Sequence, residues 1–176
     1  MTISRYKPLT ISLHWLTLLL IIAVYCTMEF RGQFERGSEA RDLIKAIHYV
    51  LGVAILLVTF VRIAVRVGQP YPAILPQPPA WQHKMAAFVH GLIYLFLFTM
   101  PILGWLLLSA EGKHITIYSL QLPALMGPDE QWAGLLEEWH ETLAVAGYWL
   151  LGAHALAALY HHYVVRDNTL RRMSRS

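Results

Sequence analysis

An all-α membrane protein, a bundle of four transmembrane helices forming one domain over residues 1–176, is the fold class this sequence predicts, on three observations. Hydrophobic residues make up 56% of the chain and charged residues only 14%, a balance suited to lipid rather than water as solvent. Four apolar runs each reach the roughly 20 residues that a helix needs to cross a bilayer core. They fall at about 9–28, 43–65, 85–110 and 143–165, with the fourth helix drawn from about 140. The 14 Lys and Arg residues gather beside the ends of these runs instead of forming a stripe, so the basic pI of about 9.1 reads as membrane topology and not as nucleic-acid binding.

The first run follows Arg5 and Lys7 as a signal peptide would, but it is long and lacks a small-x-small cleavage site, so it is read as a retained helix. With four spans the connections alternate sides. One side holds Arg5, Lys7, Arg62, Arg66, Lys84, Arg166, Arg171, Arg172 and Arg175, opposed only by Asp167. By the positive-inside rule that side is cytoplasmic, which places both termini inside a bacterial inner membrane. Pro70, Pro72, Pro76, Pro78 and Pro79 make the second connection stiff and extended. The outer connection, about 111–137, is the longest, and Trp132 and Trp139 place part of it at the interface.

Coordinating side chains inside membrane spans are costly and mark function by default. His14 lies near the inner end of the first helix, His48 near the outer end of the second, and His140 and His154 near the outer and inner ends of the fourth. The 14 positions between His140 and His154 amount to about 1400° of helical rotation, some 40° short of four turns, so both rings leave nearly one face. Their rise of about 21 Å suits two cofactors stacked along the membrane normal. Matching depths pairs His48 with His140 and His14 with His154. Histidine pairs at separate levels are the pattern of bis-imidazole haem, which has no vacant position for oxygen and exchanges electrons. The single cysteine, Cys26, excludes covalent C-x-x-C-H attachment, so such haems are b-type.

His161 and His162 compete with His154, but His140 to His161 would span about 31 Å, too far for rapid transfer between haems, and the pair is read as interfacial. His90, near the inner end of the third helix, is a candidate for assisting a quinone or a propionate, with plain packing as the alternative; His83 and His114 fall in connections. Gly147, midway between His140 and His154, and Gly52, one turn after His48, offer room for a flat porphyrin, as do Gly91 and Gly152; close helix packing is the other role for such residues. Arg62 and Arg66 are placed to meet haem propionates or, failing that, to anchor the second helix by snorkelling.

These residues sit in a longer chain of motifs: Ser12-Leu13-His14-Trp15, Met28-Glu29-Phe30-Arg31-Gly32, Trp139-His140-Glu141-Thr142-Leu143-Ala144, Gly147-Tyr148, Gly152-Ala153-His154-Ala155, Ala157-Ala158-Leu159, His161-His162-Tyr163 and Asp167-Asn168-Thr169-Leu170. In this order they resemble the bacterial di-haem cytochrome b561 family over nearly the whole chain, most closely its small stand-alone members that oxidise superoxide. The resemblance implies two b haems with ligands at His14, His48, His140 and His154, and ubiquinone as electron acceptor. It further implies superoxide as the donor at the periplasmic side, and no obligatory protein partner. A basic mouth would raise the encounter rate of that small anion. Arg31, Arg36, Arg41, Lys45 and Lys113 are available there, although Glu29, Glu35, Glu39 and Asp42 are interleaved with four of them. Two other functions remain open: a cytochrome subunit that anchors a hydrogenase or dehydrogenase and delivers its electrons to quinone, and a haem-free membrane interaction protein.

Overall fold

The computed structural model describes residues 5–174. Arg175, counted above with the cytoplasmic bases, lies outside them. Four long helices dominate: α1 (Pro8–Arg31), α2 (Glu39–Arg66), α3 (Ala80–Ala110) and α4 (Glu130–Tyr160). All four are long and apolar enough to cross a membrane. Many of their large apolar side chains are exposed, Leu19, Leu57, Phe60, Leu95 and Leu156 among them, as expected where lipid replaces water outside the bundle. The chain is a multi-pass membrane protein.

The helices begin before their apolar stretches, and in α2 and α4 polar side chains cap the early start. Pro8 starts α1, where its missing N–H costs nothing. Ser38 caps α2 by accepting the N–H of Arg41, with Glu39 and Asp42 in the first turn complementing the helix dipole. Asp129 does the same for α4 through the N–H of Trp132. The fourth helix therefore begins at Glu130, ten positions before the expected start, and takes in Trp132 from the expected connection. The error came from equating helix length with apolar length. Pro101 lies inside α3 and removes one rung of its hydrogen-bond ladder.

The helices do not pack evenly. α1 lies close along α2, α2 meets α3, and α3 lies close along α4. By contrast, α4 approaches α1 and α2 less closely than it approaches α3. Those wider approaches separate the helices that carry the paired histidines.

Both ends of the bundle are closed by connections. On the outer side, the hairpin β1 (Thr116–Ile117) and β2 (Leu120–Gln121) folds back on the α3 end. Trp105 Nε1 donates to the Pro123 carbonyl at 3.0 Å, and the Leu125 N–H donates to Ser109 Oγ at 3.0 Å. Leu103, Ala110 and Leu136 form a small core beneath. On the inner side α4 passes into a π-helical turn, His161–Val165, which ends at Arg166 in the left-handed region (φ 60°). The tail then ties three segments together. Asn168 bridges to Leu75 and Ala73, Arg172 donates to the Pro72 carbonyl, the Tyr6 N–H donates to the Arg172 carbonyl, and Trp15 Nε1 donates to that of Met173.

Candidate cofactor site between the helices

Two pairs of imidazole rings face each other across the wide approaches of α4. The rings of His48 and His140 are 6.2 Å apart between centroids, and those of His14 and His154 are 6.4 Å apart. An imidazole nitrogen binds a metal at about 2 Å, and the ring centre lies roughly 1.2 Å beyond it. Two imidazoles on opposite sides of one iron therefore place their centroids about 6.4 Å apart. Both pairs have that spacing. His90 makes the useful contrast, because its ring is only 5.2 Å from that of His154, too close for an iron between them. A haem fits the chemistry of this donor set.

The outer pair is held by α1 and α3. Thr27, one turn from the end of α1, donates its hydroxyl to the Val24 carbonyl. His48 Nδ1 lies 3.0 Å from that hydroxyl oxygen and 3.2 Å from the same carbonyl. Since both are placed to accept, the ring proton belongs on Nδ1 and the Nε2 lone pair is left free. His140 Nδ1 is buried without a hydrogen-bond partner, and the Met100 carbonyl lies near the ring. Gly104 packs against the edge of the same ring.

The inner pair has cationic company. Arg62 Nη2 lies 3.4 Å from His14 Nδ1, and its guanidinium is 5.5 Å from the Tyr94 ring centre. Arg66 stacks on Tyr71 at 3.7 Å and donates through Nη1 to the Gln69 carbonyl at 2.8 Å, while its buried Nη2 has no hydrogen-bond partner. Both arginines line a small cavity with Thr10, Leu13, Val65 and Tyr94. An unpaired guanidinium nitrogen at a cavity lined by two cations is a place for an anionic oxygen. His90 gives its Nδ1 proton to the Ala86 carbonyl at 2.5 Å and stands exposed beside His154.

Other singled-out residues are distributed as follows. A Cβ on Gly52, Gly91 or Gly152 would meet nothing within 4 Å, whereas one on Gly147 would collide with the Phe96 ring and the Tyr25 hydroxyl. His161 bonds to Asp167 at 2.5 Å, and His162 lies beside it with its Nδ1 buried and unpaired. On the outer side, Lys45 pairs with Asp42 at 3.1 Å and Lys113 with Glu111 at 2.9 Å. Arg41 donates to the Phe34 carbonyl at 2.9 Å. Arg31 is close enough to His48 and Tyr49 for its charge to act on both, and Arg36 is exposed. Sequence reading missed Val24, Thr27, Met100, Gly104 and Tyr94. The first and third act through backbone carbonyls, which leave no signature in residue type.

Four apolar spans with imidazole rings paired at two levels mark a class: a multi-pass membrane protein whose interhelical donor set suits haem iron. The family model described as prokaryotic cytochrome b561 matches residues 5–176. The chain is 38% identical over 170 residues to cytochrome b561 homolog 1 of Escherichia coli (strain K12), covering 97% of each chain. It is 37% identical over 170 residues to a Yersinia pestis protein named probable superoxide oxidase CybB, covering 97% of this chain and 96% of that one. A protein named cytochrome b562 from Cereibacter sphaeroides is 31% identical over 97% of this chain and 95% of its own. The chain belongs to the prokaryotic cytochrome b561 family of membrane electron-transfer proteins, which bind haem b.

Proposed function

We propose that this chain holds two b haems, an outer one between His48 and His140 and an inner one between His14 and His154, and that it oxidises superoxide at the periplasmic face and reduces ubiquinone. The observation that carries the haem assignment is the pair of ring separations, 6.2 and 6.4 Å. The substrate reading is supported by the likeness to the relative named probable superoxide oxidase CybB. When bound, each haem would supply a one-electron centre held by its histidine pair. Two superoxide anions each lose one electron to leave dioxygen, and one ubiquinone takes up the two electrons and two protons.

The protein's own residues divide the work by side. The Val24 carbonyl and Thr27 fix the tautomer of His48. Arg31 supplies positive charge beside that ring, whereas Lys45 and Lys113 are largely neutralised by their carboxylate partners. Arg62 and Arg66 at the inner cavity meet a propionate, and Gly52 leaves space for the porphyrin edge. His90 remains the candidate to assist a quinone at the inner level. The inner end faces the cytoplasm of a bacterial inner membrane, because the basic side chains of the tail and of the second connection lie there.

The test uses the isolated full chain in detergent. A pulse of superoxide should reduce the haems, and added ubiquinone should then become ubiquinol without any other subunit. Haems that dithionite reduces but superoxide does not would remove the substrate assignment.

A further inference from the structure

The edge of the His140 ring rests on a single turn of α3. An ideal Cβ on Gly104 would stand 3.2 Å from His140 Cε1 and 3.7 Å from Nδ1. No helical glycine other than Gly104 meets a histidine ring in this way among the described residues. Met100, one turn earlier on the same face, has its carbonyl near the His140 ring, whose Nδ1 is buried and unpaired. A buried N–H without an acceptor is costly, so ring and carbonyl have reason to close on each other.

We propose that the Met100–Gly104 turn is the seat of the outer haem's second ligand, with Gly104 as a positioning residue. Its missing side chain lets the imidazole descend until Nδ1–H is given to the Met100 carbonyl, leaving the Nε2 lone pair for iron. A methyl at Gly104 lifts the ring by a few tenths of an ångström and weakens that hydrogen bond. An imidazole deprived of its outer partner is a poorer donor to the metal. The ferric state of the outer haem is then less stabilised, and its potential rises. This inference rests on the reading of His140 as a ligand.

The experiment compares Gly104→Ala with Gly134→Ala, a helical glycine whose added Cβ meets nothing within 4 Å. Gly104→Ala should shift the low-temperature electron paramagnetic resonance g values and raise the midpoint potential of one haem only. It should also weaken retention of that haem by about 10- to 100-fold, the usual cost of losing a ligand's hydrogen-bond partner. Gly134→Ala should match the parent. His140→Ala separates the two levels of the argument: if it retains both haems, the ligand reading itself fails. If it loses the outer haem while Gly104→Ala keeps parental g values and potentials, only the seat is overturned. Should Gly104→Ala not assemble, the parent protein labelled with carbonyl-13C methionine answers by redox difference infrared spectroscopy. A carbonyl band that moves with the outer haem and vanishes in Met100→Leu is expected, and its absence overturns the proposal.

Discussion

The outer and inner histidine pairs have nearly equal ring separations and very different surroundings. His48 and His140 lie against backbone carbonyls of α1 and α3, which cannot move without deforming a helix. His14 instead contacts the tip of a long side chain, Arg62, at 3.4 Å. A guanidinium only donates, so that contact uses the His14 Nδ1 lone pair and leaves the ring proton on Nε2. For His14 to serve as the proposed ligand through Nε2, the proton would have to return to Nδ1, which would free the arginine for an anion such as a propionate. The outer level is thus set by fixed acceptors and the inner one by mobile cations. Nδ1–H bonds to carbonyls favour the ferric state, while nearby guanidinium charge favours the added electron. With haems at the two proposed sites, this difference would direct electrons from the outer level to the inner.

The largest test of this contrast removes ligands. His48→Ala or His140→Ala should strip only the outer haem, and His14→Ala or His154→Ala only the inner, so pigment analysis should fall from two haems per chain to about one. Equal losses at both levels in any variant would erase the distinction. Next in size, Arg62→Leu should lower the potential of the inner haem by roughly tens of millivolts, the scale of one partly screened charge, and leave the outer one in place. Redox titration reads both together.

A third test concerns the inner cap rather than the haems. Burial alone would raise the Asp167 carboxyl, but the Thr169 N–H and the His161 ring outweigh it and hold the group below the usual carboxylate value. A carboxyl depressed in the folded state contributes stability that is complete above its unfolded pKa of about 3.9. That contribution is lost as pH falls through the folded value. Asp167→Asn should therefore cost about 1–3 kcal/mol near neutrality, seen as a lower melting temperature and earlier proteolysis of the tail, and the gap to the parent should narrow in acid. The smallest effect belongs to the outer mouth. Because Asp42 and Glu111 offset Lys45 and Lys113, raising ionic strength should slow superoxide-driven haem reduction only about two- to threefold, and Arg31→Gln should flatten that dependence.

The spans were legible because hydropathy is a local property of the chain. The level of each histidine was legible for the same reason, since rise along a helix depends only on residue number. The fourth helix's early start was missed because Glu137, Glu138 and Glu141 break the apolar run while leaving helix propensity intact. Gly147 shows another limit: its place between two histidines reads as porphyrin room, yet Phe96 and Tyr25 crowd it, and neither neighbour is near in sequence.

The residues by themselves determine that this chain lives in lipid, crosses it four times and carries imidazoles at two depths, because burial in hydrocarbon and helical rise are written residue by residue. Only the tertiary structure decides which helices stand apart, how far each ring lies from its partner, and which carbonyl receives its proton. Those depend on where a neighbouring backbone passes, and a backbone group is the same in every residue.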